Sequence, residues 1–181
     1  MKTIYILLTR SDTLLSRLVQ LFTADPYTHA SISFDHALQP LYSSARKNGE
    51  TMFPAGPTTE VFHRGFYHKN QHIPCALYEL SVPDEVYEAA RAEAQNFARN
   101  SDRYSFNILG LILCNMGIAF HPRYKFFCSQ FVGEILCRSR ALQLPKDSSL
   151  MKPMDYTRIP ELRCRYRGRL RDLVRQRAAA F

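Results

Sequence analysis

The chain has 181 residues, 46% of them hydrophobic and 12% aromatic, which fits one folded domain and excludes a disordered or low-complexity chain. The formal net charge is +8, but residues 158–181 carry eight arginines against Glu161 and Asp172, which accounts for six of the eight charges and leaves +2 on residues 1–157. The basic character therefore belongs to a C-terminal tail, which argues against nucleic acid as the partner of the domain and leaves an anionic partner to the tail alone.

Five cysteines, an odd number without a CxxC pair, argue against a disulfide framework and for a reducing compartment. The opening apolar run is too short for a signal peptide, and residues 106–120 are too short and too interrupted to span a bilayer. The expectation is a cytoplasmic protein without a transmembrane segment.

Residues 3–8 form a β-rich apolar run that predicts a buried strand. Ser11 or Asp12 is placed to cap a helix whose apolar face is Leu14, Leu15, Leu18, Leu21 and Phe22, ended by Asp25-Pro26. Residues 28–34 alternate, with His29, Ser31 and Ser33 on one face and Ala30, Ile32 and Phe34 on the other, so a strand with a polar, histidine-bearing face follows. Residues 40–45 read as its hairpin partner. Residues 46–67 lack periodicity and predict a functional loop or lid, with a short strand at 58–62.

Residues 75–82 alternate again, and Pro83-Asp84-Glu85 opens a helix running to about Arg99. Residues 104–120 predict an apolar core helix, broken near Gly117. Phe131, Val132, Ile135 and Leu136 recur at helical spacing, which starts a helix near Cys128 and runs it to about Arg140. Residues 146–160 read as loop, 162–167 as an edge strand with an arginine face, and 169–181 as a basic helix.

Cys128 is the residue around which these elements gain a chemical meaning. At a helix start, free N–H groups and the positive end of the dipole favour a thiolate, and a histidine on a strand supplies a base. Cysteine hydrolases and acyl-transfer enzymes need those parts and a polar group to orient the imidazole. His63, His68 and His72 have no cysteine or acid at ligand spacing, so no metal or other cofactor is expected.

The segments Tyr27-Thr28-His29-Ala30-Ser31-Ile32 and Phe127-Cys128-Ser129-Gln130-Phe131-Val132 resemble the circularly permuted, NlpC-type branch of the papain-like superfamily, in its YiiX-like form. In that branch the histidine strand precedes the cysteine helix. The resemblance covers residues 3–160 and is specific at His29 and Cys128-Ser129. It implies an α+β fold, with an antiparallel or mixed sheet packed on the cysteine helix, in a single domain 1–181.

It also implies Cys128 as nucleophile, His29 as general base, and a covalent acyl-thioester intermediate. Relatives place a His, Glu, Asn or Gln on the strand after the histidine; here Ser43 matches that register best, and Glu60 is the alternative orienting residue. The backbone N–H of Cys128, with a group near residues 9–11, is the expected oxyanion hole. The substrate would be a small amide, peptide or lipid ester entering between the Cys128 helix and the His29 strand. The alternative is a binding module that keeps the fold without effective catalysis.

Overall fold

A computed structural model describes residues 1–10, 25–46 and 54–179. The predicted helix over 11–22 and the first part of the 46–67 loop lie outside the described residues. Six strands form one antiparallel sheet in the order β4-β3-β2-β1-β5-β8. They are β1 (Lys2–Thr9), β2 (His29–Ser33), β3 (Leu41–Arg46), β4 (Ala55–Glu60), β5 (Pro74–Val82) and β8 (Arg163–Arg169). β6 (Ser105–Phe106) and β7 (Lys125–Phe126) form a separate parallel pair.

Ile4 to Leu8 is apolar at every position because both faces of the sheet are covered. On one face Ile4, Ile6 and Leu8 meet α2 (Asp84–Arg99) and α4 (Cys128–Arg138), through Ala90, Ala94, Phe97, Phe131, Val132 and Ile135. On the other, Tyr5 and Leu7 meet Tyr67 of α1 (Gly65–Lys69) and Leu170 and Leu173 of α5 (Leu170–Ala178). The molecule is thus α+β, with an antiparallel sheet between helices.

Several expectations need correction. The short strand expected at 58–62 is β4, which begins earlier, at Ala55, and pairs with all of β3 from Leu41↔Glu60 to Arg46↔Ala55, so this part of the anticipated lid belongs to the sheet. Gly56 permits that position: a Cβ there would stand 2.9 Å from the Tyr104 carbonyl oxygen. The apolar stretch after Arg103 is β6 followed by a short helix, α3 (Ile108–Asn115), and much of it is exposed rather than core. Gly117, at φ +74°, follows the end of α3. Residues 146–160 contain two 3-10 turns, Ser148–Leu150 and Pro153–Arg158.

β2 and β3 pair at the single position Ile32↔Tyr42 and are otherwise unpaired toward the His29 end of β2. α4 begins beside that gap.

Candidate active site

α4 opens at Cys128 with Phe127 at the N-cap position and no acidic side chain in its first turn. Its first helical bond runs from Phe131 N–H to the Phe127 carbonyl at 2.8 Å, which leaves the preceding N–H groups and the dipole for a negative charge. Cys128 is 7% exposed, and its sulfur lies 4.0 Å from the Thr28 carbonyl oxygen, just before β2.

The imidazole of His29 neighbours this thiol closely enough for each to shift the other's titration. Its Nε2 donates to Glu60 Oε2 at 2.9 Å. The same carboxylate oxygen accepts from Ser43 Oγ at 2.6 Å. Ser43 pairs with Thr58 and Glu60 with Leu41, so Ser43 and Glu60 are diagonal neighbours on one face of β3 and β4. Ser44 faces the opposite way and donates to the Phe126 carbonyl at 2.6 Å.

Sequence reading favoured Ser43 as the group touching the ring. The structure puts Glu60 against the ring and Ser43 behind Glu60. The His29–Glu60 contact joins β2 to β4 across β3, where β2 and β3 pair at Ile32↔Tyr42 alone.

The charges follow from this geometry. Burial pulls the His29 imidazole down, but Glu60 and Cys128 outweigh it and raise it to about 10. Burial pushes the Cys128 thiol up, and His29, with the N–H groups of Ala30 and Ser129, overcomes that and holds it below its ordinary value. Burial likewise opposes the Glu60 charge, which His29, Ser43 and Arg46 restore, so its carboxyl titrates below the usual range. The resulting arrangement favours a thiolate, an imidazolium and a carboxylate in a row. Burial pushes Cys75 up to about 12 and also raises Cys114 and Cys137.

Tyr67 was not singled out from the sequence. It backs the site from α1, buried, and burial together with the Glu60 charge keeps its phenol well above the ordinary value. Its hydroxyl and that of Thr9, one of the residues considered for the oxyanion hole, are buried without a hydrogen-bond partner among the described residues. Ser11, considered with it, lies outside the described residues. A phenol in an otherwise irregular stretch gave no sequence signal.

The start of α4 is held from behind by the 148–158 segment. Ser129 Oγ donates to the Met151 carbonyl, and Tyr156 Oη donates to the Ser129 carbonyl, each at 2.7 Å. His121 Nε2 meets Asp147 Oδ1 at 2.5 Å, and Ser149 Oγ donates to the same oxygen. No protein-family model matches this chain, and no curated protein shows significant similarity to it.

Proposed function

We propose that this chain is a cysteine-dependent hydrolase or acyl-transfer enzyme of the circularly permuted papain-like kind, acting on an amide, ester or thioester. The observation that carries this is the His29 ring bonded to the Glu60 carboxylate beside the Cys128 thiol at the start of α4. The binding-module alternative drew its force from the lack of a carboxylate on β3; Glu60 supplies one from β4.

In the first half-reaction the Cys128 sulfur attacks the substrate carbonyl, forming a C–S bond and an oxyanion. The free N–H at the start of α4 faces that oxygen's charge. Collapse of the adduct expels the amine, alcohol or thiol, which takes its proton from the His29 imidazolium. His29 then removes a proton from water or from an acyl acceptor, which attacks the thioester and expels the Cys128 thiolate, restoring the thiolate–imidazolium pair. Glu60 keeps the ring oriented and stabilises its positive charge, while Ser43 fixes Glu60.

Iodoacetamide labelling read by peptide mass spectrometry, with p-nitrophenyl acyl ester hydrolysis alongside, tests this directly. Cys128 should alkylate fastest although Cys137 and Cys164 are more exposed. Cys128→Ala should abolish ester turnover. Faster labelling of the exposed cysteines, with turnover surviving in Cys128→Ala, would overturn the assignment.

A further inference from the structure

The excursion from β6 to β7 carries an apolar surface that the thiol chemistry does not use. α3 has the sequence Ile-Leu-Gly-Leu-Ile-Leu-Cys-Asn, with Gly110 and Cys114 buried and Cys114 packed with Phe106 and Phe127. Its other side is Leu109, Ile112 and Met116, a stripe at helical spacing, with Leu109 54% and Met116 67% exposed. Ile118, just past the Gly117 turn, extends the stripe. A polar outer face is the ordinary requirement of a surface helix, and no charged residue stands between Arg103 and His121.

The excursion is fixed at both ends. Ser105 N–H donates to the Tyr124 carbonyl at 3.0 Å, and Asn107 N–H donates to the Phe126 carbonyl at 3.3 Å. Asn107 Oδ1 caps α3 by accepting from Gly110 N–H at 2.9 Å. Phe120 N–H donates to Ser149 Oγ at 3.1 Å, and the His121–Asp147 pair adds a second anchor. The apolar stripe is therefore presented on a braced loop and helix.

Arg103, Arg123 and Lys125 stand exposed at the base of the excursion. Among the described residues none of these three forms an ion pair, and Asp102 is the single acid within residues 102–125. Tyr124 lies exposed among them, with the Arg123 guanidinium 5.3 Å from its ring centre.

We propose that this face docks on an anionic lipid bilayer, with α3 lying along the headgroup boundary. An aliphatic stripe flanked along the chain by an exposed tyrosine and three cations, unpaired among the described residues, complements acyl chains and acidic headgroups. Protein interfaces concentrate instead on aromatic and arginine centres with hydrogen-bonding partners, and this stripe offers neither at its centre. Among the described residues no helix is long and apolar enough to cross a membrane, so α3 rests on the surface. β7 leads through Phe127 into Cys128, so docking would bring the start of α4 toward the bilayer.

Flotation with vesicles tests the surface without any turnover, so its outcome is independent of the catalytic reading. The chain should float with vesicles of phosphatidylcholine containing about one-third phosphatidylserine, and much less with phosphatidylcholine alone. A Leu109→Ser, Ile112→Ser, Met116→Ser triple variant should lose flotation at least about ten-fold. Arg123→Gln and Lys125→Gln should each weaken it roughly five-fold on the anionic vesicles.

The chain has no tryptophan, so Met116→Trp gives a single-site reporter that does not depend on the triple variant folding. Its emission should shift to the blue on anionic vesicles. The proposal is overturned if the wild type fails to float, if the triple variant floats equally, or if Met116→Trp shows no shift. Sedimentation showing a dimer dispersed by the triple variant, with no flotation, would assign the face to a second copy and also overturn it.

Discussion

Glu60 sets the character of the proposed site because, among the described residues, it is the carboxylate bonded to the His29 ring. His29 and Glu60 are 12% and 14% exposed, so solvent screens their attraction little. Glu60→Gln should therefore slow acyl turnover severely, by about 3 kcal/mol or two orders of magnitude, measured as kcat/KM on one ester. Ser43→Ala removes a hydrogen bond to that carboxylate and should be milder, about 1.5 kcal/mol or roughly ten-fold.

The pH profile follows from the same shifts. The acid limb of kcat/KM should lie below the ordinary thiol value of about 8.5, because Cys128 is depressed. The alkaline limb should fall near the value of about 10 to which His29 is raised, where the imidazolium loses the proton it must donate. Stability carries the matching signs. The His29 contribution is complete below the unfolded imidazole value of about 6.5 and disappears as pH rises through about 10. The Glu60 contribution is present above the unfolded carboxyl value of about 4.3 and disappears as pH falls through its lower folded value. The stability difference between wild type and Glu60→Gln, from urea unfolding, should be greatest near pH 5–6 and shrink toward pH 10.

At the scale of elements, the start of α4 depends on the 148–158 segment as much as on its own packing. Tyr156 is fully buried, and its hydroxyl bond to the Ser129 carbonyl ties that segment to the residue after Cys128. Tyr156→Phe should lower unfolding free energy by about 1 kcal/mol in urea melts. Gly133 marks how close the approach is: a Cβ there would stand 3.0 Å from Leu144 Cδ1 and 3.2 Å from Tyr156 Oη. Even a methyl group at Gly133 would force Leu144 or Tyr156 to move.

For the whole molecule, the arginine-rich C-terminal region proves to be part of the fold. β8 closes one edge of the sheet, and α5 covers the face opposite α2 and α4 with Leu170 and Leu173, each 1% exposed. Arg165 and Arg177 both meet Glu79, at 2.7 and 3.3 Å, and Arg177 also lies over the Tyr5 ring. Leu173→Ala should destabilise the protein by about 2–5 kcal/mol in urea unfolding. Arg163→Ala, exposed on the edge strand, should change it by no more than about 0.5 kcal/mol.

The sequence by itself determined the elements whose signal is local. The apolar run of β1, the alternation of β2 and β5, and the helical stripes of α2 and α4 are each set by a single segment facing a covered surface. Cys128 at a helix start and His29 on a polar strand face were legible for the same reason. Tertiary structure alone decided the rest. Glu60 meets His29 across a strand because β2 and β3 pair at one position, and pairing is a property of two distant segments. The threonines of β4 suggested a short strand at 58–62, but its start at Ala55, through Gly56 and Pro57, was set by pairing with β3. α3 is apolar in sequence whether it is covered or bare, because periodicity records a side chain's hydropathy and not what lies against it.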